Sequence, residues 1–293
     1  IQTMSNIEIL IEEETIQEIG PTVNNADEII DCSGRLVTPG FVDPHTHPVF
    51  YKGREEEYTM RLAGASYQEI AESGGGILSS IKDVRNASED ELVERVKKRM
   101  TRFIKLGTTT VEAKSGYGLD TESELKSLRV LDRVNRDHPI DIIPTFLGAH
   151  AFPPEFSDDP DGYVDLLCDE MIPAVGEQGI AQYCDVFCEK GYFSVEQSRR
   201  ILETGKTYGL IPRLHADEFE DSGAAELAAE VGAVSADHLM AVSNAGISAL
   251  KNGAVTATLL PGTTFFLGKQ SYAPAEKLTE AGISIALATD FNP

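Results

Sequence analysis

The amino-acid sequence predicts an α/β protein in which eight parallel strands, each followed by a helix, close into a (β/α)8 TIM barrel. Three observations lead to this prediction. Eight short β-type stretches alternate with helix-like segments, five helix-like segments end in glycine just before a strand, and polar residues gather directly after the strands. The length of 293 residues suits one barrel with a small appendage.

The first part of the chain has a different texture, and we predict a small β-rich lobe over residues 1–36. Residues 7–11 and 15–19 form short apolar or alternating runs, and the turn-forming pair Gly20-Pro21 follows them. The barrel is predicted over residues 37–293, ending just after its eighth strand. Its strands are expected at residues 37–43, 108–113, 140–146, 183–187, 211–214, 233–236, 254–260 and 283–288.

The helices between these strands have recognisable ends. In a capping box, a Ser or Thr and a Glu or Gln three residues later bond to each other's backbone N–H groups. Such pairs occur at Ser88 and Glu91, Thr121 and Glu124, and Ser194 and Gln197. A glycine just past a helix end supplies the left-handed turn into the next strand. This role is predicted for Gly107, Gly209, Gly232, Gly253 and Gly282.

The positions of the histidines decide between a closed barrel and an open sheet. Five of the six histidines fall just after predicted strands, namely His45, His47, His150, His215 and His238. An open sheet would spread such residues along one edge. A barrel brings all strand ends around one mouth, where active sites form, so we prefer the barrel.

Four of these strand-end residues predict a metal site. His45 and His47 alternate at a strand end, so both imidazoles can turn toward one ion. His-x-His alone is a weak motif, but His215 and Asp290 strengthen it. Three imidazoles and a carboxylate leave room for a water, whereas structural zinc sites are usually closed and Cys-rich. The set therefore predicts a catalytic ion that activates water for hydrolysis.

Three further strand-end residues have competing interpretations. Glu218 alone would be a carboxylate that stabilises the first turn of a helix, but beside a metal-binding His215 we interpret it as a proton shuttle. His150 and His238 could each be a hydrogen-bonded core histidine. Their positions at two more strand ends favour contact with substrate or with a developing oxyanion.

The composition excludes several classes of partner. The chain has 25 Lys and Arg against 48 Asp and Glu, a net charge of −23, which repels nucleic acid and anionic membranes. No apolar run approaches the ~18 residues of a membrane span. Cys184 and Cys188 lie in an apolar run and are expected to be buried thiols rather than metal ligands. This cysteine usage suits a reducing compartment, and we expect a cytoplasmic location.

Longer motifs cover nearly the whole chain. They are Val37-Thr38-Pro39-Gly40 continuing to His47, Gly74-Gly75-Gly76-Ile77, Lys114-Ser115-Gly116-Tyr117-Gly118-Leu119, Phe146-Leu147-Gly148-Ala149-His150, His215-Ala216-Asp217-Glu218, Ser235-Ala236-Asp237-His238, Leu259-Leu260-Pro261-Gly262, and Ala288-Thr289-Asp290 with Asn292. Together they closely resemble the imidazolonepropionase family of the metal-dependent amidohydrolase superfamily. The Lys-Ser-Gly-Tyr-Gly-Leu motif is far more specific to this family than His-x-His.

The resemblance implies an amidohydrolase-type barrel that hydrolyses the cyclic amide of 4-imidazolone-5-propanoate to N-formimidoyl-L-glutamate in histidine degradation. It implies one zinc or iron ion per chain, a small anionic substrate and a homodimer. The residues that it implicates are His45, His47, His215 and Asp290 as metal ligands, Glu218, His238 and Asp290 in catalysis, and Arg54, Tyr117, His150 and Asn292 in substrate binding.

The sequence departs from the family pattern in two places. After His47 the family usually reads Leu-Val-Phe-Gly-Gly-Ser-Arg, whereas here Pro48-Val49-Phe50-Tyr51-Lys52-Gly53 precedes Arg54. Family members also continue past the position of Pro293, so we expect this chain to lack their C-terminal part and its small lobe to be incomplete. Two alternatives stay open: a related mononuclear aminohydrolase, such as a cytosine or guanine deaminase, and a metal-binding barrel without catalysis.

Overall fold

The structure is a computed structural model that describes residues 3–64 and 75–293. Gly74, which opens the glycine-rich motif named above, lies outside the described residues. The chain divides into two compact units, Ile1–Pro39 and Gly40–Pro293.

The smaller unit contains a hairpin. Strand β1 (Glu8–Glu12) pairs antiparallel with strand β2 (Thr15–Gly20), and the register shifts between Leu10 and Ile11. Glu13 in the turn between them has a φ of 54°. The two short strands predicted in this part of the chain are therefore present.

The larger unit is an eight-stranded parallel barrel, which confirms the predicted fold class. Each strand pairs with the next one along the chain, so the order around the sheet is the order in sequence. The strands are β3 (Phe41–Thr46), β4 (Thr108–Lys114), β5 (Asp141–Ala149), β6 (Tyr183–Cys188), β7 (Ile211–Ala216), β8 (Ser235–His238), β9 (Thr256–Leu259) and β10 (Ile285–Leu287). The first was expected to begin at residue 37, but it begins at Phe41, after Pro39 and Gly40.

Helices lie between successive strands of the barrel. In the described part of the chain they are α1 (Glu55–Leu62), α2 (Ile77–Asn86), α3 (Glu89–Lys105), α4 (Thr121–Asp137), α5 (Pro160–Leu166), α6 (Ile172–Gln178), α7 (Val195–Thr207), α8 (Ala224–Val231), α9 (Asn244–Asn252), α10 (Pro261–Phe266) and α11 (Ala275–Glu280). A 3₁₀ turn (Pro154–Phe156) precedes α5, and a π turn (Leu167–Met171) joins α5 to α6.

The helices bury apolar faces against the outside of the barrel. On α3 the buried side chains are Leu92, Val93, Val96, Met100 and Phe103, spaced as a helical face requires. Cys184 and Cys188 are also buried, as predicted. No described helix combines the length and the apolar character needed to cross a membrane.

The barrel closes between β3 and the segment after β10 through individual hydrogen bonds. The backbone N–H of Asp290 donates to the carbonyl of His45 at 3.1 Å, and the N–H of His47 donates to the carbonyl of Phe291 at 2.8 Å. Three of these four residues lie at or beside the predicted metal site. The bonds that close the barrel therefore also fix the backbone of that site.

Two of the three predicted capping boxes are confirmed, at Ser88 and Ser194. The third, at Thr121, is wrong. The carboxylate of Asp120 caps α4, and Thr121 is the first helical residue. Glu124, the expected partner of Thr121, instead accepts hydrogen bonds from the loop before the helix.

Four of the five predicted helix-ending glycines adopt the left-handed conformation, with φ values of 91°, 81°, 69° and 80° at Gly107, Gly209, Gly232 and Gly282. The prediction for Gly253 is wrong: its φ is −79°, and Ala254 takes the left-handed turn with a φ of 53°. Gly253 is needed for close packing instead, because a Cβ there would lie 2.9 Å from the Cβ of Ala229.

Candidate active site

The carboxyl ends of the barrel strands converge on four buried imidazoles and one buried carboxylate. His45 lies at the end of β3, with His47 just after it, and β7 and β8 supply His215 and His238. Asp290 follows β10. None of the five residues is more than 9% exposed. The sequence predicted that these strand ends share one mouth, and the structure brings the five side chains together.

The side chains are close enough to share an ion. The Nε2 atoms of His45 and His47 are 3.2 Å apart, and Oδ1 of Asp290 lies 3.4 Å from the first and 3.3 Å from the second. The ligand atoms of His45, His215 and His238 also lie within 4.8 Å of one another. His45 therefore belongs to both groups and lies at the centre of the cluster.

The donor set fits a metal cation. His215 has Nδ1 bonded to Asp185, while its buried Nε2 has no hydrogen-bond partner among the described residues. Leaving a buried polar nitrogen unpaired is costly, and coordination of a cation would satisfy it. Burial opposes charge on His45, yet hydrogen bonds to Asp237 and Asp290 raise its pKa to about 9. At His47, by contrast, burial lowers the pKa to about 4 and keeps the imidazole neutral, as a metal ligand must be. The side chains therefore form a candidate metal site.

Two buried carboxylates hold the outer nitrogens of the imidazoles. Nδ1 of His45 lies 2.7 Å from Asp237, and Nδ1 of His215 lies 3.1 Å from Asp185. A carboxylate at Nδ1 keeps the proton on that nitrogen and leaves the Nε2 lone pair for a metal. Asp237 and Asp185 therefore fix both the orientation and the tautomer of two proposed ligands.

Two buried cations balance these carboxylates. Arg213 donates to Asp237 at 2.9 Å, and the Lys114 ammonium lies 2.7 Å from Asp185 and 2.9 Å from Glu112. Burial alone would raise the pKa of Asp237, but Arg213 holds it well below its ordinary range. For Asp185, His215 and Lys114 likewise outweigh burial and lower the pKa. Both carboxylates are therefore ionised.

We call these five buried residues the charge network: Glu112, Lys114, Asp185, Arg213 and Asp237. No role was predicted for them, although the sequence contains a pattern that indicates buried ion pairs. Asp185 and Arg213 stand in the middle of otherwise apolar strands, where a charged side chain must be buried and paired.

Glu218 is a further buried carboxyl group, and it lies beside His238 of the cluster. Oε2 of Glu218 is 3.7 Å from Nε2 of His238. Burial, helped by the charge of Asp290, raises the pKa of Glu218 to about 8, and burial lowers the pKa of His238 to about 3. Near neutral pH the carboxyl can both take up and release a proton, while the imidazole is neutral.

The segment that carries Glu218 is held by two further carboxylates. Asp217, with a φ of 49°, accepts backbone N–H bonds of 2.9–3.2 Å from residues within 222–225. Glu189, at the end of β6, accepts the N–H of Phe219 at 2.8 Å. Glu218 therefore sits between two anchored neighbours.

Two site residues occupy the left-handed backbone region that side-chain-bearing residues rarely adopt. His238 has a φ of 78° and Asp290 a φ of 53°. Asp290 is fixed on both sides, because Thr263 donates to its Oδ2 at 2.7 Å and its N–H bonds to His45. Such strain persists only where the surrounding structure holds it, and it clusters at functional sites.

One cavity of about 160 Å³ connects the cluster to the residues predicted to bind substrate. Its polar wall consists of His47, Arg54, Tyr117, His150, His215, Glu218, His238, Thr263, Asp290 and Asn292. The remaining lining residues are mainly apolar: Ile77, Phe187, Tyr192, Phe219, Phe266 and Leu267. All four predicted substrate-binding residues therefore line the same cavity as three of the four predicted metal ligands, His47, His215 and Asp290.

Arg54 lines this cavity. Its Nε is buried without a hydrogen-bond partner, and within residues 3–64 and 75–293 no ion pair joins it to an acidic residue. The carboxylate of the nearby Glu57 accepts the N–H of Gly76 at 2.7 Å. The guanidinium lies close enough to Tyr117 to affect the pKa of its phenol.

Comparison with known proteins identifies the family. The chain is 52% identical over 299 residues to an imidazolonepropionase of Geobacillus kaustophilus (strain HTA426), covering 99% of this chain and 70% of the relative. The chain belongs to the imidazolonepropionase family. Another imidazolonepropionase, from Shouchella clausii (strain KSM-K16), is 54% identical, and the match covers 90% of this chain and 59% of that protein. No protein-family model matches the sequence.

Solved structures agree on the fold. The barrel is similar to 5-methylcytosine deaminase from Klebsiella pneumoniae liganded with 5-fluorocytosine, with a TM-score of 0.69 at 18% identity over 98% of this chain and 72% of the other. Guanine deaminase from C. acetobutylicum gives a TM-score of 0.67 at 18% identity, over 98% of this chain and 70% of the other. The chain thus shares its fold with two deaminases of low sequence identity.

Replacing Asp237 with Asn should weaken metal binding by about 10–100-fold, because the amide no longer holds the Nδ1–H of His45 as a carboxylate does. Metal affinity would be measured by competition with a chelator. Asp137→Asn is the matched control, since Asp137 pairs with Lys97 on the surface. Equal affinities in the two variants would show that Asp237 does not support the site.

Proposed function

We propose that the chain carries the catalytic barrel of an imidazolonepropionase and hydrolyses the cyclic amide of 4-imidazolone-5-propanoate to N-formimidoyl-L-glutamate, in histidine degradation. One observation carries the proposal. Three residues of the candidate metal site, His47, His215 and Asp290, line one cavity together with Arg54 and Tyr117. The identity of 52% to a curated imidazolonepropionase supports the substrate class.

His45, His47, His215 and Asp290 are the proposed ligands of one zinc or iron ion per chain. The three imidazoles and the carboxylate are the donor types that such ions accept. When bound, the ion supplies Lewis-acid polarisation of the ring carbonyl and lowers the pKa of water. The family resemblance supports a homodimer as the assembly.

Glu218 is the proposed proton carrier. In the hydrolysis a water oxygen bonds to the ring carbonyl carbon, the carbon–nitrogen bond breaks, and a proton passes from the water to the leaving nitrogen. A buried carboxyl with a pKa of about 8 can accept the first proton and return it to the nitrogen. His238, neutral and facing the same space, would donate a hydrogen bond to the developing oxyanion, and Asp290 would assist the proton transfer.

Four residues are proposed to bind the rest of the substrate. Arg54 offers two parallel N–H donors to the propanoate carboxylate, with Tyr117, His150 and Asn292 completing the polar wall. A local cation is required here, because a protein of net charge −23 must still admit an anion to a mouth that contains Asp290 and Glu218.

Turnover by the metal-loaded chain tests the proposal. We expect loss of the imidazolone absorbance with 4-imidazolone-5-propanoate and none of the deamination of cytosine or guanine that a related aminohydrolase would show. Turnover of a nucleobase alone would support the aminohydrolase alternative. Bound metal without turnover of any cyclic amide would support a non-catalytic barrel.

Glu218→Gln should keep the metal and lower kcat by roughly 10²–10⁴, since the amide keeps the shape of the side chain but cannot carry the proton. Metal content and kcat would be measured together. His215→Ala is the comparison variant and should lose both metal and activity. Near-normal turnover by Glu218→Gln would return Glu218 to the role of a helix-stabilising carboxylate.

Arg54→Ala should raise KM for 4-imidazolone-5-propanoate about 10–100-fold with unchanged metal content, because a charge-assisted bidentate pair is lost. An analogue without the carboxylate should be nearly indifferent to the change. Arg102→Ala, at an exposed position on α3, is the control. Equal effects on both substrates would exclude Arg54 as the carboxylate-binding residue.

A further inference from the structure

Glu124 is a fully buried carboxylate that pairs with the backbone of a loop. Its side chain has 0% exposure and projects from the first turn of α4 toward the segment Gly116–Leu119, which ends the β4–α4 connection. Oε1 accepts the N–H groups of Gly118 at 2.8 Å and Leu119 at 2.9 Å. The N–H of Gly116 is shared between Oε2 at 3.0 Å and Oε1 at 3.2 Å. One carboxyl group therefore accepts three backbone N–H groups of the same loop.

This loop carries Tyr117 and also contacts His150. The carbonyl of Gly116 accepts the Nδ1–H of His150 at 2.9 Å. Gly116 therefore bonds to Glu124 through its N–H and to His150 through its carbonyl group. The rings of Tyr117 and His150 lie side by side, with centroids 5.2 Å apart. The position of Gly116 thus sets two side chains of the polar wall.

The loop has little room to relax. Gly116 has a φ of 104°, and a Cβ there would lie 2.9 Å from the carbonyl oxygen of Leu147. A Cβ on Gly118 would lie 2.6 Å from the Cβ of Ser123 on α4. The backbone is therefore packed directly against its neighbours, which restricts the positions that Tyr117 can take.

Arg85 holds the opposite side of the loop. It extends from α2 and donates to the carbonyl of Gly118 at 2.7 Å and of Leu119 at 3.1 Å. It also pairs with Glu155 at 2.7 Å, in the connection that follows His150. The carboxyl group of Glu124 thus holds N–H groups of the loop, while the Arg85 guanidinium holds the carbonyl groups of Gly118 and Leu119.

We propose that Glu124 is a positioning residue for substrate binding, which acts by fixing the Gly116–Leu119 loop and thereby Tyr117 and His150. The inference takes its substrate from the proposed function, whereas the contacts between Glu124 and the loop do not depend on that function. Glu124 bonds to none of the proposed metal ligands, so its effect should fall on binding rather than on metal content.

The sharpest variant is Glu124→Gln. The amide oxygen can replace Oε1 and keep the bonds from Gly118 and Leu119. The amide NH₂ must then replace Oε2 and face the N–H of Gly116, donor against donor. The N–H of Gly116, the residue that also anchors His150, then keeps only its longer contact of 3.2 Å with the Oε1 position. Glu89→Gln is the matched control, because the half-exposed Glu89 carboxylate binds Arg129 and Arg133 instead of this loop.

Two measurements on the metal-loaded chain test the proposal. By hydrogen exchange in the absence of substrate, the amide of Gly116 should exchange at least about tenfold faster in Glu124→Gln than in the unaltered chain or in Glu89→Gln. With 4-imidazolone-5-propanoate, Glu124→Gln should raise KM about tenfold and change kcat less than about threefold. Metal content should stay unchanged.

A double variant with Tyr117→Phe identifies the path of the effect. If Glu124 acts through Tyr117, the KM effects of the two substitutions should combine to less than their product. Independent multiplication, or unchanged exchange at Gly116, overturns the inference. An unaltered chain that does not turn over the substrate refutes the proposed function, while the exchange result still decides whether Glu124 fixes the loop.

Discussion

Pairing of charge inside the barrel is the constraint on which the rest of the site depends. Lys114 and Arg213 are buried among Glu112, Asp185 and Asp237, and an unpaired ion there would cost several kcal/mol. Lys114 pairs with Glu112 on its own strand and with Asp185 two strands away, and Arg213 pairs with Asp237 on the next strand. Two carboxylates of the charge network, Asp237 and Asp185, also hold the imidazoles of His45 and His215. The ion pairs that stabilise the buried charges therefore also orient the candidate metal site.

Carboxylates fix the backbone of the site as well as its imidazoles. Glu124, Asp217 and Glu189 each accept backbone N–H groups from a segment that follows a strand. The loops that carry Tyr117 and Glu218 are thereby tied to rigid elements of the barrel. A site built in this way is held at fixed distances without needing long loops to pack on one another.

The sequence predicts the barrel and the strand-end residues because strand alternation and the family motifs are local features. His45, His47, His215 and Asp290 could be grouped because a barrel gathers strand ends. The role of Glu124 could not be predicted, since its spacing from Thr121 fits a capping box and only tertiary packing shows that it faces Gly116. The pairing of Arg213 with Asp237 likewise depends on strand order and register, which a single sequence leaves open.

Barrel closure has a consequence for how the site assembles during synthesis. Three proposed ligands lie at residues up to His215, but Asp290 follows the last strand and joins His45 only when the barrel closes. A growing chain on the ribosome therefore presents three imidazoles without their carboxylate. The proposed ligand set is therefore complete only after the segment that follows β10 has joined β3, and closing the barrel and completing the site depend on the same hydrogen bonds.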